Sequence, residues 1–142
     1  MLRQAEVVER LADTYFSRDD SQSLTNDLPV YMENWFAAGA MVSTADDLLK
    51  FADALFAGAL LQPDSRERML TPGLDDYGYG LWIDTVPAGG KMVRVYRRPG
   101  QIMGAQTMLI RYHELDLTSV VLGNASNTSP DEFAFAIGRR FL

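Results

Sequence analysis

The residues best suited to chemistry lie in segment 97–107, where a basic pair is followed by two glycines. Gly100 comes two residues after Arg98, and Gly104 follows four residues later. Glycine lets a ligand or a second backbone approach closely. A strand edge with a free N–H beside a positive charge can hold a developing oxyanion or a carboxylate. The same spacing fits a bulge or hairpin without a ligand, and spacing alone leaves both interpretations open.

Charge is distributed unevenly along the chain of 142 residues, whose net charge is −6. Residues 1–90 carry 15 acidic and 6 basic side chains, whereas residues 91–142 carry 4 acidic and 7 basic ones. An acidic chain is a poor general binder of nucleic acid, so no nucleic-acid partner is expected. The basic excess includes four closely spaced side chains: Lys91, Arg94, Arg97 and Arg98. This cluster fits either an anionic ligand or a solvated strand face.

Other kinds of site have little support in the sequence. The absence of cysteine excludes disulfides, thiolate catalysis and cysteine zinc sites. The single histidine, His113, has no second histidine and no clustered carboxylates at metal-ligand spacing to accompany it. We therefore expect a surface or hydrogen-bonding role for it. Neither a Walker-type phosphate loop nor a G-x-S-x-G elbow occurs. We therefore expect no cofactor, and no apolar run approaches the roughly 18 residues of a membrane span.

Helices come first among the elements that must position these residues. Apolar residues at near-helical spacing in 1–15 indicate a short helix or a frayed segment, followed by a polar loop over 17–30. Ser43-Thr44-Ala45-Asp46-Asp47 offers two overlapping hydroxyl caps, each with a carboxylate three residues on. Apolar residues then recur on one face, which predicts a helix from about Ala45 to Ala57. Pro63 starts a second short helix that reaches about Leu70.

The hydrophobic period changes after Pro72. Strand-like runs follow at residues 79–84, 92–97, 105–112 and 117–123. A possible Ser129 cap and Pro130 predict a closing amphipathic helix that runs to Leu142. Helices followed by antiparallel strands are typical of an α+β fold. We expect one domain over 1–142, with an N-terminal helix and loop (1–36), a helical region (37–72), and a sheet with its closing helix (73–142).

Three stretches of the sequence carry a family resemblance. They are AAGAMVSTADDLLKF at residues 37–51, YGYGLW at residues 77–82, and Arg98-Pro99-Gly100 followed by Met103-Gly104. In order and spacing they resemble AAGGLVSTADDLARF, YGYGLGW and the H/K-T-G motif of serine β-lactamase and penicillin-binding-protein-like hydrolases. The class C β-lactamase, D-alanyl-D-alanine carboxypeptidase and esterase branch is the most similar. The likeness covers roughly residues 7–142 and points to the C-terminal part of that fold.

This resemblance implies that the chain contributes the substrate side of an acyl-transfer site. In the family, the Ser of S-x-x-K attacks an acyl carbon, while its Lys and the Tyr of Y-x-N move protons. By resemblance, Arg98 takes the cationic position of the K-T-G motif, Pro99 the hydroxyl position and Gly100 the glycine. Gln101 supplies an oxyanion-hole N–H. The implied ligand is an acyl substrate (a β-lactam, D-amino-acid peptide or ester) or another anion.

The sequence departs from the family pattern at the groups that perform the chemistry. It contains no S-x-x-K, no Y-x-N and no S-x-N. Arg98 replaces Lys or His, and an arginine can anchor a carboxylate but is a poor proton shuttle. Pro99 removes the threonine hydroxyl. We therefore expect no acyl transfer from this chain alone. The alternative is a non-catalytic anion-binding or oligomerisation module derived from the family, using Arg97, Arg98 and the Gly100 edge.

The resemblance also predicts an unpaired strand edge. In the family, N-terminal strands pair with the last C-terminal strand, here residues 117–123. Without them this strand is an exposed apolar edge. We expect the chain to pair with itself, to swap an element, or to bind a partner that carries the N-terminal half. Residues 1–6 contain no apolar signal core, so no export signal is visible and the compartment stays open.

Overall fold

A computed structural model describes residues 7–18, 23–28, 31, 34–39, 41–88 and 90–141. Helices precede a four-stranded sheet, and a last helix closes the chain, which confirms the α+β class. The elements are β1 (Tyr15–Ser17), β2 (Leu24–Asn26), α1 (Ala45–Phe56), α2 (Pro63–Met69), β3 (Trp82–Ala88), β4 (Lys91–Ile102), β5 (Ala105–Tyr112), β6 (Leu117–Gly123) and α3 (Pro130–Gly138).

The main sheet has the strand order β3-β4-β5-β6, and every neighbouring pair is antiparallel. Short hairpins join the first three strands, with Ala88 opposite Lys91 and Ile102 opposite Ala105. β4 is much longer than β3, whose pairing ends where Trp82 lies opposite Arg97. Among the described residues, the end of β4 beyond Arg97 therefore has a strand neighbour only on the β5 side.

The two faces of the sheet are covered by different helices, because side chains alternate along each strand. One face packs against α1 in a cluster of Ala52, Leu55, Phe56, Leu81, Ile83 and Tyr96. The opposite face packs against α3 in a cluster of Val93, Val95, Met108, Ile110, Tyr112 and Ala134. Two apolar layers therefore hold the sheet between its helices.

The start of α1 uses one of the two overlapping caps. The Asp47 N–H donates to Thr44 Oγ1 at 3.2 Å, and Lys50 Nζ lies 3.0 Å from Asp47 Oδ1. Lys50, and to a smaller extent the Thr44 hydroxyl, hold the pKa of the Asp47 carboxyl below its usual value. The predicted helix is confirmed at its first residue and ends at Phe56, just before Gly58 with φ of 85°.

Of the two N-terminal alternatives, the short helix is not found in the described residues, and the prediction of a loop over 17–30 is wrong in part. Residues 7–14 contain no helix, and the expected loop contains β2, which pairs with β1. The reason is a tertiary contact: the Tyr15 N–H donates to the Asn124 carbonyl at 2.8 Å, and the Ser126 N–H donates to the Tyr15 carbonyl at 2.9 Å. These bonds extend the backbone around Tyr15. The predicted helical positions in residues 1–6 lie outside the described residues.

Several other element limits differ from the prediction. β4 runs from Lys91 to Ile102, whereas the prediction covers only 92–97, and β3 ends at Ala88 and not at Asp84. β3 begins at Trp82 and not at Tyr79, because the Gly78 N–H donates to the Leu81 carbonyl and closes a turn in which Gly80 has φ of 87°. The closing helix ends at Gly138, and its C-cap is Arg139, which keeps a right-handed helical conformation. Leu142, the predicted end, lies outside the described residues. Within the described ranges, no helix is long and apolar enough to cross a membrane.

Candidate functional site

The segment Arg98–Gln101 forms the part of β4 that extends beyond β3. Pro99, Gly100 and Gln101 lie opposite Met108, Thr107 and Gln106 of β5. On the other side, β3 has already ended at Trp82. Within the described ranges, the segment is therefore paired along one edge and has no strand along the other. This is the local geometry that a strand needs in order to present backbone groups to a ligand.

The direction of each backbone group along β4 follows from alternation in an antiparallel ladder. The Arg94 N–H donates to Glu114 Oε2 at 2.7 Å, and Glu114 follows β5, so even-numbered residues direct their N–H and C=O groups toward β5. The Gly100 carbonyl accepts from Thr107 on that same side. Odd-numbered residues therefore point to the open edge. Pro99 has no N–H, which leaves the Gln101 N–H as the donor directed outward there.

A single exposed cation stands beside this donor. The Arg98 side chain is exposed, and its Nη1 lies 3.4 Å from the Tyr77 hydroxyl. The Tyr77 ring packs edge-on against Trp82, with centroids 4.6 Å apart. The Tyr77 backbone is fixed by bonds to Gly73 and Leu74. The guanidinium therefore lies next to an aromatic pair whose backbone is fixed.

Gly100 leaves space for a side chain of the neighbouring strand. A Cβ atom on Gly100 would lie 2.5 Å from Thr107 Oγ1, and Gly100 itself is exposed. Thr107 Oγ1 lies 3.4 Å from the Gly100 carbonyl. Sequence analysis did not identify Thr107. The available signal was the short hairpin at residues 103–104, whose register places Thr107 opposite Gly100.

The second glycine of the segment serves the fold. The Gly104 N–H donates to Asp27 Oδ2, and the same carboxylate oxygen accepts from the Thr14 hydroxyl at 3.1 Å. A Cβ atom on Gly104 would lie 2.2 Å from the Tyr15 carbonyl oxygen. Gly104 is therefore the point where the β1 backbone meets the β4–β5 hairpin. The sequence predicts that either a ligand or a second backbone approaches such a glycine closely. At Gly104 it is a second backbone.

The basic cluster does not form one patch. Alternation places Arg94 and Arg98 on the α1 face, and Lys91 and Arg97 on the opposite face. The Arg97 guanidinium contacts Asp84 of β3 as an ion pair. This arrangement therefore does not support an anion site that uses Arg97 together with Arg98. The two side chains leave opposite faces of the sheet, and Arg97 already has a partner.

His113 lies in a short 3-10 turn after β5 and is exposed, with its ring edge-on to Tyr96 at a centroid distance of 5.6 Å. Among the described residues, no group of three His, Cys, Asp or Glu side chains is placed to hold a metal ion. The groups that the structure brings together around β4 are the Arg98 guanidinium, the Thr107 hydroxyl and the outward N–H of Gln101.

Comparison with known proteins adds an identification to this geometry. The family model described as Beta-lactamase matches residues 3–139. The chain belongs to the beta-lactamase family. Penicillin-binding protein 4* of Bacillus subtilis (strain 168) is 28% identical over 129 residues, which cover 87% of this chain and 28% of that protein. The crystal structure of a penicillin-binding protein from Bacillus halodurans shares the fold at a TM-score of 0.67 and 22% identity, covering 99% of this chain and 44% of its own.

This beta-lactamase-family chain spans less than half the length of either relative. The strands predicted at 105–112 and 117–123 have the predicted limits. The order of the elements therefore agrees with the family resemblance seen in the sequence. The chain therefore corresponds to part of a larger penicillin-binding-protein fold.

Proposed function

We propose that this chain is the substrate-side part of a serine β-lactamase-like hydrolase, with Arg98, Pro99, Gly100 and Gln101 lining the substrate position. The observation that carries the proposal is the outward Gln101 N–H on the unpaired edge of β4, beside the exposed Arg98 side chain. The family membership and the match to part of larger penicillin-binding proteins support it. The substrate class is an acyl compound that carries an anionic group.

Each residue has a distinct part in the proposed chemistry. When a nucleophile attacks the acyl carbon, the carbonyl oxygen gains negative charge, and the Gln101 N–H donates to it as one half of an oxyanion hole. One such donor contributes about 3 kcal/mol to transition-state stabilisation in other enzymes. Arg98 holds the anionic group of the substrate through charge-assisted hydrogen bonds. Arginine is a poor proton acceptor, so Arg98 orients the substrate and does not move protons.

The attacking group is expected from outside this sequence. The sequence contains no S-x-x-K or Y-x-N, so it encodes no family-type nucleophile with its base. We expect the isolated chain to hydrolyse neither nitrocefin nor p-nitrophenyl acetate above the buffer rate. Turnover by the chain that disappears when one of its own serines is changed to alanine would contradict the expected inactivity.

Binding tests the substrate side directly. N-acetyl-D-alanine and its carboxamide differ only in charge at one end, and amide-resolved NMR titration gives the affinity of each. We expect tighter binding of the acid, loss of that preference in Arg98→Gln, and shifts at the Gln101 amide. Arg94→Gln is the matched control, since Arg94 lies on the same face of the same strand. Equal binding of acid and carboxamide to the unchanged chain would refute the proposal.

A second candidate function, as an oligomerisation module, is favoured by the open edge of β6. In the part of the chain that the structure describes, β6 pairs only with β5, and alternation directs the backbone groups of Thr118, Val120 and Leu122 outward. The strand Leu117–Gly123 contains neither a charge nor a proline, the usual devices that prevent edge pairing. Two copies can pair antiparallel about Val120 so that each Thr118 lies opposite the partner's Leu122.

Sedimentation equilibrium tests this second candidate. Val120→Pro removes an outward N–H without affecting the β5 ladder, and should convert a dimer to a monomer. Thr85→Pro is the matched control, because Thr85 lies in β3 at the opposite edge, where Pro87 already occupies an outward position. A monomer of the unchanged chain at all concentrations would refute self-pairing. Pairing with a chain that carries the N-terminal half would then be the remaining expectation.

A further inference from the structure

Thr107 shares a face of the sheet with Arg98. Arg98 lies opposite Leu109 in the β4–β5 register, and Gly100 lies opposite Thr107. Thr107 is therefore the diagonal neighbour of Arg98, and such neighbours lie about 7–8 Å apart, within reach of a long side chain. Since Gly100 has no side chain, no Cβ atom stands between the guanidinium and the hydroxyl on this face.

The Thr107 hydroxyl makes one weak hydrogen bond, which a ligand can replace. Its 3.4 Å contact with the Gly100 carbonyl is long for a hydroxyl hydrogen bond, whose usual length is about 2.7–2.8 Å. Thr107 is half-buried and Gly100 is exposed, so the hydroxyl borders open space above Gly100. A side chain at position 100 would fill that space, with its Cβ only 2.5 Å from Thr107 Oγ1.

The chemistry of this surface fits a carboxylate with an apolar substituent. An ionised carboxylate has two oxygens and accepts several hydrogen bonds, so one group can receive both a guanidinium and a hydroxyl. Across β5, Thr107 lies opposite Leu122, whose side chain is 41% exposed on the same face. A ligand held at Arg98 and Thr107 would place its apolar part on Leu122.

We propose that Thr107 is a substrate-binding residue that donates its hydroxyl to the carboxylate held by Arg98. It supplies from β5 the hydroxyl that Pro99 cannot supply from β4. This inference rests on the proposed function, because it assumes that the Arg98 surface receives the anionic group of the substrate. It assigns a second anchor and an apolar subsite at Leu122 to that surface.

The test compares N-acetyl-D-alanine binding to three variants by NMR titration. Thr107→Val keeps the β-branched shape and removes the hydroxyl, and we expect about 10-fold weaker binding of the acid, in line with loss of a hydrogen bond to a charged group. Thr107→Ser keeps the hydroxyl and should bind within about 2-fold of the unchanged chain. Thr85→Val, on the edge strand β3, is the control for a general effect of threonine removal.

The outcomes separate this inference from the proposed function. If Arg98→Gln abolishes the preference for the acid while Thr107→Val binds it normally, Thr107 has no part in binding and only this inference fails. If Arg98→Gln also binds normally, the proposed function itself is wrong. A dispersed amide spectrum for each variant shows that it folds. Equal loss in Thr107→Ser and Thr107→Val would indicate a packing role and would overturn the inference.

Discussion

At the residue scale, Tyr112 is the buried group with the clearest energetic consequence. Its side chain is fully buried, and its hydroxyl has no hydrogen-bond partner among the described residues. Gly138 of α3 leaves room for it, since a Cβ atom there would lie 2.1 Å from the Tyr112 hydroxyl oxygen. Burial raises the pKa of the Tyr112 phenol, and the charge of Arg139 partly opposes this effect.

This raised pKa predicts loss of stability at alkaline pH. Below the unfolded-state value of 10.0 the phenol is protonated in both states, so its contribution is constant. Above it the unfolded state loses the proton first, and the free energy of unfolding falls as pH rises toward the folded-state pKa. We expect Tyr112→Phe to reduce this fall and to match or exceed the unchanged chain in stability near pH 8, because it removes an unpaired buried hydroxyl.

Urea unfolding at pH 8 and at pH 10.5 measures both effects. Tyr79→Phe is the control, since Tyr79 is 74% exposed. If the free energy of unfolding falls equally between pH 8 and pH 10.5 in Tyr112→Phe and in the unchanged chain, the alkaline loss of stability does not come from Tyr112.

At the element scale, one buried arginine fixes α1 to the sheet. Arg111 of β5 donates to the Thr118 hydroxyl at 2.9 Å and lies 3.6 Å from the Asp53 carboxylate of α1. Its guanidinium carbon lies 5.5 Å from the centre of the Phe56 ring, and it forms an ion pair with Asp116. Arg111 is 7% exposed, whereas both carboxylates are largely exposed. Packing of the guanidinium should therefore matter more than either ion pair.

This asymmetry predicts unequal effects of the two partners. Arg111→Ala should lower the free energy of unfolding by about 2–4 kcal/mol, because it removes a buried side chain that packs on Phe56. Asp53→Ala should cost less than about 1 kcal/mol, since an exposed carboxylate contributes little to an ion pair. Urea unfolding at neutral pH gives both values. Equal losses would show that the ion pair, and not packing, holds α1.

At the scale of the whole molecule, the β1–β2 hairpin joins the sheet at the end that carries the candidate site. Tyr15 forms a parallel bridge with Ala125, and the Ser17 N–H donates to Ser126 Oγ at 2.8 Å. Gly104 lies beneath this contact, against the Tyr15 backbone. The position of the β4–β5 hairpin, and with it the end of the candidate site, therefore depends on a segment remote in sequence.

Substitution at this contact should loosen the hairpin. Gly104→Ala places a methyl group against the Tyr15 backbone and should cost about 1–3 kcal/mol, as overpacking does elsewhere. In Gly104→Ala, hydrogen exchange at the Tyr15 and Ser126 amides should accelerate more than exchange at the amides of β5. Gly39→Ala is the control, because nothing lies within 4 Å of a Cβ atom there. Unchanged exchange at Tyr15 in Gly104→Ala would contradict this role.

The sequence alone determined the elements whose signals are local. The cap at Thr44, the apolar periodicity after it and Gly58 predicted α1, and two strand-like runs predicted the limits of β5 and β6. Such patterns act within a few residues, so they can be read before the fold is known. The family resemblance selected Arg98–Gln101 as a candidate site and assigned the Gln101 N–H to the oxyanion hole, without indicating the residue at which β3 ends.

Tertiary structure alone decided the remaining features, because their partners are remote along the chain. Tyr15 becomes a strand residue since it bonds to Asn124 and Ser126, whose positions no local signal near Tyr15 encodes. Strand register places Thr107 opposite Gly100, brings Asp84 of β3 to Arg97, and leaves the Gln101 N–H directed away from β5. Register depends on a whole hairpin and on the point where β3 ends, so it exists only once the sheet has formed.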